Sequence, residues 1–170
     1  MRTAAGADRY LRRQTRRTSR ETGPDPMQNF LGQYECTLDS KGRLMVPARF
    51  RRLLPEESGG QYVITMGRER CLNLYPLAEW SESVVNRLHE LPAGAEKRRY
   101  VRFYSNKSRN LPLDKAGRVA IPGAFLEALG HPKKVIVVGV LNYMEIWAAD
   151  EYERVSREAE ETFLSGDWEY

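Results

Sequence analysis

An internal repeat constrains the fold of this chain more than any other feature of its sequence. The segment DSKGRLMVPARF, which begins at Asp39, matches DKAGRVAIPGAF from Asp114 at an offset of 75 residues. A second block, VITMG from Val63, matches VIVVG from Val135 at an offset of 72 residues. The blocks occur in the same order and differ only by a loop deletion, so we predict two tandem copies of one small module.

Each copy is predicted to run as strand, tight turn, strand, short helix, hairpin and helix, with one further helix between the copies. Alternating polar and apolar residues predict the first strand, and turn residues predict the hairpin. The predicted strands of the first copy are Tyr34–Leu38, Leu44–Val46, Tyr62–Met66 and Cys71–Tyr75. The predicted helices are Ala48–Leu54, Leu77–Leu91, Glu96–Tyr104 and Asp150–Phe163. The fold class is therefore α+β, and mainly β.

The tight turn of each copy has the pattern Asp-x-x-Gly-Arg, at Asp39–Arg43 and at Asp114–Arg118. An Asp at the start of a turn can accept hydrogen bonds from backbone amides two residues on, and Gly supplies a positive φ. We therefore assign loop-shaping roles to Asp39, Gly42, Asp114 and Gly117.

Arg43 and Arg118 are the predicted DNA-binding residues, because a guanidinium can bind guanine O6 and N7, or a phosphate, in a bidentate way. Lys41 and Lys115 in the loops, and Arg49 beyond the first, are predicted to add contacts. The alternative is that each arginine only forms an ion pair with the Asp of its own turn. Both roles are compatible, since an Asp that orients an Arg preorganises a site.

The two modules are expected to be unequal. The first carries Arg51 and Arg52 where the second has Leu126 and Glu127. From sequence we expect the first module, through Arg43, Lys41 and Arg49, to contribute most of the affinity for DNA. Charge reversal of Arg51 and Arg52 should then lower both the affinity and its salt dependence.

The residues around these loops resemble a known bacterial family. The segment NFLGQYECTLDSKGRLMVPARFR, from Asn29, resembles the opening of MraZ proteins, and DKAGRVAIP from Asp114 and GVLNYMEIW from Gly139 are similar to the second half of that family. The resemblance extends over roughly residues 27–155, with the two halves in the family's order.

The resemblance implies two AbrB/SpoVT-type swapped-hairpin modules that form a pseudo-dimer barrel within one chain, with flanking helices. It also implies a transcriptional regulator of the cytoplasm and nucleoid, usually a repressor, that acts on the division and cell-wall gene cluster and on its own operon. Such proteins assemble into ring homo-oligomers and bind repeated short G-containing boxes in double-stranded DNA.

We expect five regions along the chain: a basic extension at 1–26, module 1 at 33–79, a helical linker at 80–107, module 2 at 108–151, and a C-terminal helix and tail at 152–170. The extension holds seven arginines against three acidic residues, which accounts for the whole net charge of +4. Global basicity therefore gives no argument that the folded body binds nucleic acid. Two interpretations of the extension stay open: a basic arm that contacts phosphates or, the one we favour, a segment that is not translated because Met27 is the start.

Composition and motifs exclude several function classes. The sequence has no apolar run long enough to span a bilayer and no phosphate-binding or nucleophile motif, so we expect no membrane partner, no cofactor, no small-molecule substrate and no enzyme activity. Cys36, Cys71, His89 and His131 lack ligand spacing, so no metal site is expected. Two alternatives stay open: an oligomeric scaffold that does not bind DNA and, less favoured, a hydrolase that uses Asp39 and Asp114 as a carboxylate pair.

Overall fold

The computed structural model describes residues 29–166, and the basic extension at 1–26 lies outside the described residues. The strands of the first half are β1 (Phe30–Thr37), β2 (Arg43–Met45), β3 (Gln61–Met66) and β4 (Leu72–Pro76). Those of the second half are β5 (Ser108–Pro112), β6 (Arg118–Ala120), β7 (Lys134–Leu141) and β8 (Tyr143–Ala148). The predicted element order of both copies is confirmed, and the mixed α and β fold is mostly sheet.

The helices follow the predicted pattern with one interruption. They are α1 (Ala48–Arg52), α2 (residues 77–90), α3 (Ala95–Asn106), α4 (Gly123–Ala128) and α5 (Ala149–Ser165). Within α2 the sequence predicted a continuous α-helix, but its middle turn, Ser81–Val85, is a π-helix between α-helical ends. Proline precedes α1, α2 and α4, at a site where its fixed φ and missing N–H cost nothing.

The main sheet exchanges strands between the two halves. Its order is β1-β7-β8-β4-β3-β5, so β1 of the first half pairs with β7 of the second, and β5 of the second pairs with β3 of the first. In the centre, β4 pairs with β8, with Asn73 opposite its repeat equivalent Glu145. A pseudo-twofold axis therefore passes between these two residues, and neither half completes the sheet alone.

The second, two-stranded sheet joins the same halves through β2 and β6. Leu44 lies opposite its repeat equivalent Val119, and both side chains are fully buried. The main hydrophobic core lies between the two sheets, and it includes Phe50 of α1 and Phe125 of α4. The two copies thus share one core.

The main sheet is open rather than closed into a barrel. Over residues 29–166 its edge strands are β1 and β5. The family resemblance implied a closed barrel, and this sheet does not show one. The strands β2 and β6 pair with each other and form a separate layer, so they do not extend the main sheet.

Candidate nucleic-acid interface

The first loop, Asp39–Arg43, is a turn held by its own aspartate. One carboxylate oxygen of Asp39, Oδ1, accepts hydrogen bonds from the backbone N–H groups of Lys41 and Arg43, both at 2.9 Å. The other oxygen, Oδ2, accepts from Nε of Arg43 at 2.6 Å. Gly42 has a φ of +71° and its N–H donates to the Asp39 carbonyl. The predicted roles of Asp and Gly in shaping the turn match this geometry.

The second loop, Asp114–Arg118, repeats the arrangement almost bond for bond. Oδ1 of Asp114 accepts from the backbone N–H groups of Ala116 and Arg118 at 2.9 Å, and Oδ2 accepts from Nε of Arg118 at 2.9 Å. Gly117 has a φ of +84°. The two loops differ in sequence at their second and third residues. They nevertheless have one geometry, because the hydrogen bonds that they share involve only Asp, Gly, Arg and the backbone.

The two loops lie at opposite ends of the short ladder formed by β2 and β6, and their arginines are on the same face of it. Arg43 begins β2 and Arg118 begins β6, and these antiparallel strands pair so that Arg43 is opposite Ala120 and Arg118 is opposite Met45. Across the pair, Nη1 of Arg118 lies 3.9 Å from Oδ2 of Asp39. The paired sheet therefore presents two arginines and two carboxylates as one continuous surface.

The loop glycines link the two halves through their carbonyl groups. Val46 of the first half donates its N–H to the carbonyl of Gly117 at 3.0 Å, and Ile121 of the second half donates to the carbonyl of Gly42 at 3.0 Å. Each loop is consequently anchored by the strand end of the other module. This fixes the spacing between the loops as well as their individual shapes.

Both loop carboxylates are held in the ionised form. The backbone N–H of Arg43 is the main cause that lowers the pKa of Asp39, to about 2, and its side chain adds to this effect. The pKa of Asp114 is lowered in the same way, mainly by the backbone N–H of Arg118. A carboxylate pair that shares a proton would instead raise one pKa, so the geometry argues against the paired-carboxylate hydrolase.

The ion pairs do not bury the arginines. The side chains of Arg43 and Arg118 remain 31% and 30% exposed. The bond to Asp uses Nε, and the guanidinium carries further N–H donors in a planar fork. The sequence alternatives of a turn-stabilising ion pair and a ligand-binding arginine are therefore compatible in this geometry.

The remaining predicted contact residues are all exposed. Lys41 lies in the first loop and Lys115 in the second. Arg49 lies on α1, the helix that follows β2. The two loops and Arg49 together carry five cationic side chains against two carboxylates, an excess that the net charge of the chain did not show.

Arg51, a cation of the first module, lies over the loop of the second module. A Cβ placed on Gly117 would lie 2.3 Å from Nη1 of Arg51, so the Arg51 guanidinium rests on the second loop. Leu126, its repeat equivalent, rests on Gly42 of the first loop, where a Cβ would lie 2.7 Å from its Cδ1. Arg51 belongs to α1 of the first module, as expected from sequence, but its guanidinium contacts the loop of the second module. Its contribution to the affinity for DNA stays a prediction. The offset of 75 between Arg51 and Leu126 was the only sequence signal of their equivalence.

Of the two cysteines considered as metal ligands, Cys71 is buried and Cys36 is half-buried. Cys36 and Cys71 are free thiols, and burial raises the pKa of both, to about 12 for Cys71. Within residues 29–166 no group of three or more His, Cys, Asp and Glu side chains could hold a metal ion. In the same part of the chain, no helix has the length and apolar character needed to cross a membrane.

Aromatic residues at equivalent positions of the two halves, Tyr75 with Trp147 and Trp80 with Tyr152, pack within each half. They do not form an open surface on which nucleic-acid bases could stack. Trp147 is 2% exposed and contacts Tyr152. At the equivalent place in the first half, Tyr75 contacts Trp80, and Trp80 also contacts Tyr104 of α3 at a centroid distance of 5.8 Å. These residues therefore attach the helices to the sheet.

Comparison with known proteins gives a consistent result over most of the chain. The family model described as "MraZ protein, putative antitoxin-like" matches residues 29–103 and 107–167. The chain is 40% identical over 135 residues to a transcriptional regulator MraZ of Moorella thermoacetica, covering 79% of this chain and 91% of the relative. It is 39% identical over 135 residues to the protein of that name in Desulforamulus reducens, covering 79% and 92%. The double match, in the order of the two structural halves, shows that the chain belongs to the MraZ family.

Proposed function

We propose that this protein is a DNA-binding transcriptional regulator whose two Asp–Arg loops together contact double-stranded DNA. The observation that carries the proposal is the pairing of β2 with β6, which sets Arg43 and Arg118 on one face of a three-residue ladder, each preoriented by its own Asp. A side chain already held in one rotamer loses less entropy on binding, so each contact to a base or phosphate gains in strength and geometric precision. The names of the curated relatives support the same class of function.

One pair of loops contributes too little binding free energy for specific recognition of DNA, so several copies of this surface are needed. One Arg–guanine contact is worth about 1–3 kcal/mol, whereas specific regulators exceed their non-specific binding by about 4–10 kcal/mol. We propose that a ring of subunits presents several loop pairs to several short G-containing boxes, where linked sites gain avidity by about 10² to 10⁴. In the cytoplasm and nucleoid, the protein would bind the promoter of its own operon, in the division and cell-wall gene cluster. Occupancy of that promoter would repress transcription.

The DNA-binding test compares loop variants with a charge-matched control. We expect labelled promoter DNA to bind with an affinity that falls as salt rises. Arg43→Ala and Arg118→Ala should each weaken binding about 5- to 150-fold on a duplex with one box, the equivalent of one lost Arg–base contact, and by more on an array that engages several subunits. Arg87→Ala, which removes an exposed arginine of α2, should not. Promoter affinity equal to that for scrambled DNA, or insensitive to both loop variants, would favour the scaffold alternative.

The dependence on repeats has its own test. A duplex with one box should bind weakly, and a duplex with several boxes at native spacing should bind strongly. Insertion of half a helical turn between boxes should reduce the affinity of the array, because the loops of a rigid ring cannot follow the rotated boxes. Equal affinity for one box and for the array would rule out the repeat-dependent mechanism.

For the ring, we propose a contact between α3 of one copy and the groove beside α5 of the next. In the first half, α3 packs beside α2, where Tyr104 contacts Trp80. In the second half, the equivalent groove beside α5 is open and is lined by Gln33, Tyr152, Glu153 and Glu160. The internal repeat relates α2 to α5. The open groove beside α5 therefore corresponds to the groove beside α2, which α3 occupies.

Charge and exposed apolar surface support this occupant. The α3 segment carries a net charge of +3 and α5 a net charge of −4. Phe103 of α3 is 45% exposed, and the neighbouring Arg99 and Arg102 are exposed. Such a contact joins two different surfaces, and heterologous contacts give rings when the rotation closes.

The test of this contact is charge reversal and its rescue, read by the mass of the assembly in solution. Arg99→Glu with Arg102→Glu should reduce the assembly to smaller species, and so should Glu153→Lys with Glu160→Lys. A mixture of the two variants should restore large assemblies in which the variants alternate, because α3 of each variant then meets an α5 of opposite charge on the other. Assemblies of unchanged mass in both variants would place the contact between copies elsewhere.

A further inference from the structure

Arg51 is tied to both modules of the chain. Its Nε donates a hydrogen bond to the carbonyl of Val46, at the end of β2, at 3.0 Å. Its guanidinium lies against Gly117 of the second loop. Val46 in turn donates its N–H to the carbonyl of Gly117. The three groups form a closed set of contacts, so the side chain of Arg51 is fixed over the second loop and is not a freely solvated cation.

Leu126 has the same place over the first loop. Its Cδ1 lies against Gly42, and the carbonyl of Gly42 accepts from Ile121 N–H, just as that of Gly117 accepts from Val46. The backbone support of the two loops is therefore equivalent, and the supporting side chain differs. One loop has an apolar support and the other a permanent positive charge.

The loops themselves do not differ in charge. Each contains one Asp, one Lys and one Arg, which sums to +1 in both. Arg51 is thus a charge held over the second loop by contacts, in the place where the first loop has the apolar side chain of Leu126. Phosphate attraction responds directly to such a local excess.

We propose that Arg51 is a positioning residue for the Asp114–Arg118 loop, which it holds in shape and makes the more strongly DNA-attracting loop of the pair. This rests on the proposed DNA-binding function. From sequence, Arg51 counts among the cations of the first module, whereas its guanidinium lies over the second loop. Arg51 also gives each chain a direction on DNA, because its two loops are not interchangeable.

The structural part of the proposal can be tested without DNA. In the full-length protein, Arg51→Leu introduces the residue that the other module has at this place. We expect it to shift the backbone amide resonances of Gly117 and Arg118 more than those of Gly42 and Arg43. Leu126→Arg should give the opposite pattern. Larger shifts at Gly42 and Arg43 in Arg51→Leu would overturn the assignment.

The functional part is tested by the salt dependence of binding to promoter DNA. Arg51→Leu should make the slope of log affinity against log salt less steep by about one for each subunit that engages the DNA, while Arg51→Lys should keep it. The double variant Arg51→Leu with Leu126→Arg should restore the slope, because it moves the charge to the first loop. A slope in Arg51→Leu equal to that of the unaltered protein would refute the electrostatic role.

A double-mutant cycle identifies which loop Arg51 serves. The effect of Arg51→Leu on affinity should shrink in an Arg118→Ala background and persist in an Arg43→Ala background. The reverse pattern would assign Arg51 to the first loop and overturn the proposal. If the unaltered protein bound no DNA, the proposed function would fail, and the amide shifts would still decide whether Arg51 positions the second loop. Melting curves of each variant check that the fold is kept.

Discussion

Arg118 and Asp39 belong to different modules, yet Nη1 of Arg118 lies 3.9 Å from Oδ2 of Asp39, the same oxygen that accepts from Nε of Arg43. One carboxylate oxygen therefore faces both arginines. Asp39 contributes to the orientation of the pair of loops, in addition to the shape of its own turn.

This relationship predicts unequal effects of two matched substitutions. Asp39→Asn should weaken binding to promoter DNA more than Asp114→Asn, because Asp39 faces both arginines whereas Asp114 bonds only within its own loop among the contacts described above. Both effects should be smaller than that of Arg43→Ala, since Asn can still accept the backbone hydrogen bonds. Fluorescence anisotropy with labelled promoter DNA measures the order, and a larger effect of Asp114→Asn would contradict the prediction.

Gly42→Ala should destabilise the fold by more than positive φ alone requires. A non-glycine residue in the left-handed region costs about 1–3 kcal/mol, and a Cβ at Gly42 would also lie 2.7 Å from Cδ1 of Leu126. Overpacking of this kind adds about 1 kcal/mol or more. Chemical denaturation at fixed protein concentration measures the difference in the free energy of unfolding.

Gly130→Ala is the matched control for that variant. Gly130 has a φ of +79° but no heavy atom within 4 Å of a built Cβ, so its substitution reports the φ cost alone. Equal losses of stability in Gly42→Ala and Gly130→Ala would show that Leu126 yields without cost.

Tyr62→Phe should stabilise the protein by about 1 kcal/mol. The hydroxyl of Tyr62 is buried and has no hydrogen-bond partner within residues 29–166, and an unsatisfied buried polar group costs about 1–3 kcal/mol. Burial also raises the pKa of this phenol well above its usual value. The midpoint of denaturation in urea measures the gain.

Tyr152→Phe provides the opposite case. The hydroxyl of Tyr152 donates a 2.6 Å hydrogen bond to Oε1 of Gln33, so its removal should cost about 0.5 kcal/mol. If both variants lost stability, the Tyr62 hydroxyl would have to be satisfied in solution.

Acid should weaken the first loop only well below neutral pH. The pKa of Asp39 is about 2 in the folded protein, mainly because of the backbone N–H of Arg43, against about 3.9 in an unfolded chain. Because the folded pKa is the lower one, the stabilisation is complete above about pH 4 and is lost as pH falls toward 2. A carboxyl carbon NMR titration of Asp39 should give a midpoint near 2, and Asp39→Asn should flatten this part of the stability profile. A midpoint of 3.9 or above would contradict the loop geometry.

The local structure of both modules was accessible from sequence because its determinants are local. The Asp-x-x-Gly-Arg turn is specified by an aspartate that bonds amides two and four residues ahead and by a glycine with positive φ. Prolines mark the starts of helices, and alternation marks β1, where Tyr34 and Cys36 are half-buried between exposed neighbours. Such signals lie within a few residues of one another, so a single chain reveals them.

The partner of Arg51 was not accessible in this way. Its contact with Gly117 spans 66 residues of chain and exists because β2 pairs with β6, which brings the end of β2 and the start of α1 to the second loop. Sequence periodicity gives the burial of a residue but not the distant loop that it meets. The same reason explains why the open sheet, as opposed to a closed barrel, could not be predicted from the pattern of strands.

The exchange of strands has a consequence for how such a chain can change over generations. In a dimer of identical modules, every substitution is present twice and must suit both loops at once. With both modules encoded in a single gene, the residue over one loop can become Arg51 while its counterpart stays Leu126. The fused chain is thereby free to specialise its two halves separately, while the shared sheet keeps them from drifting apart as independent domains.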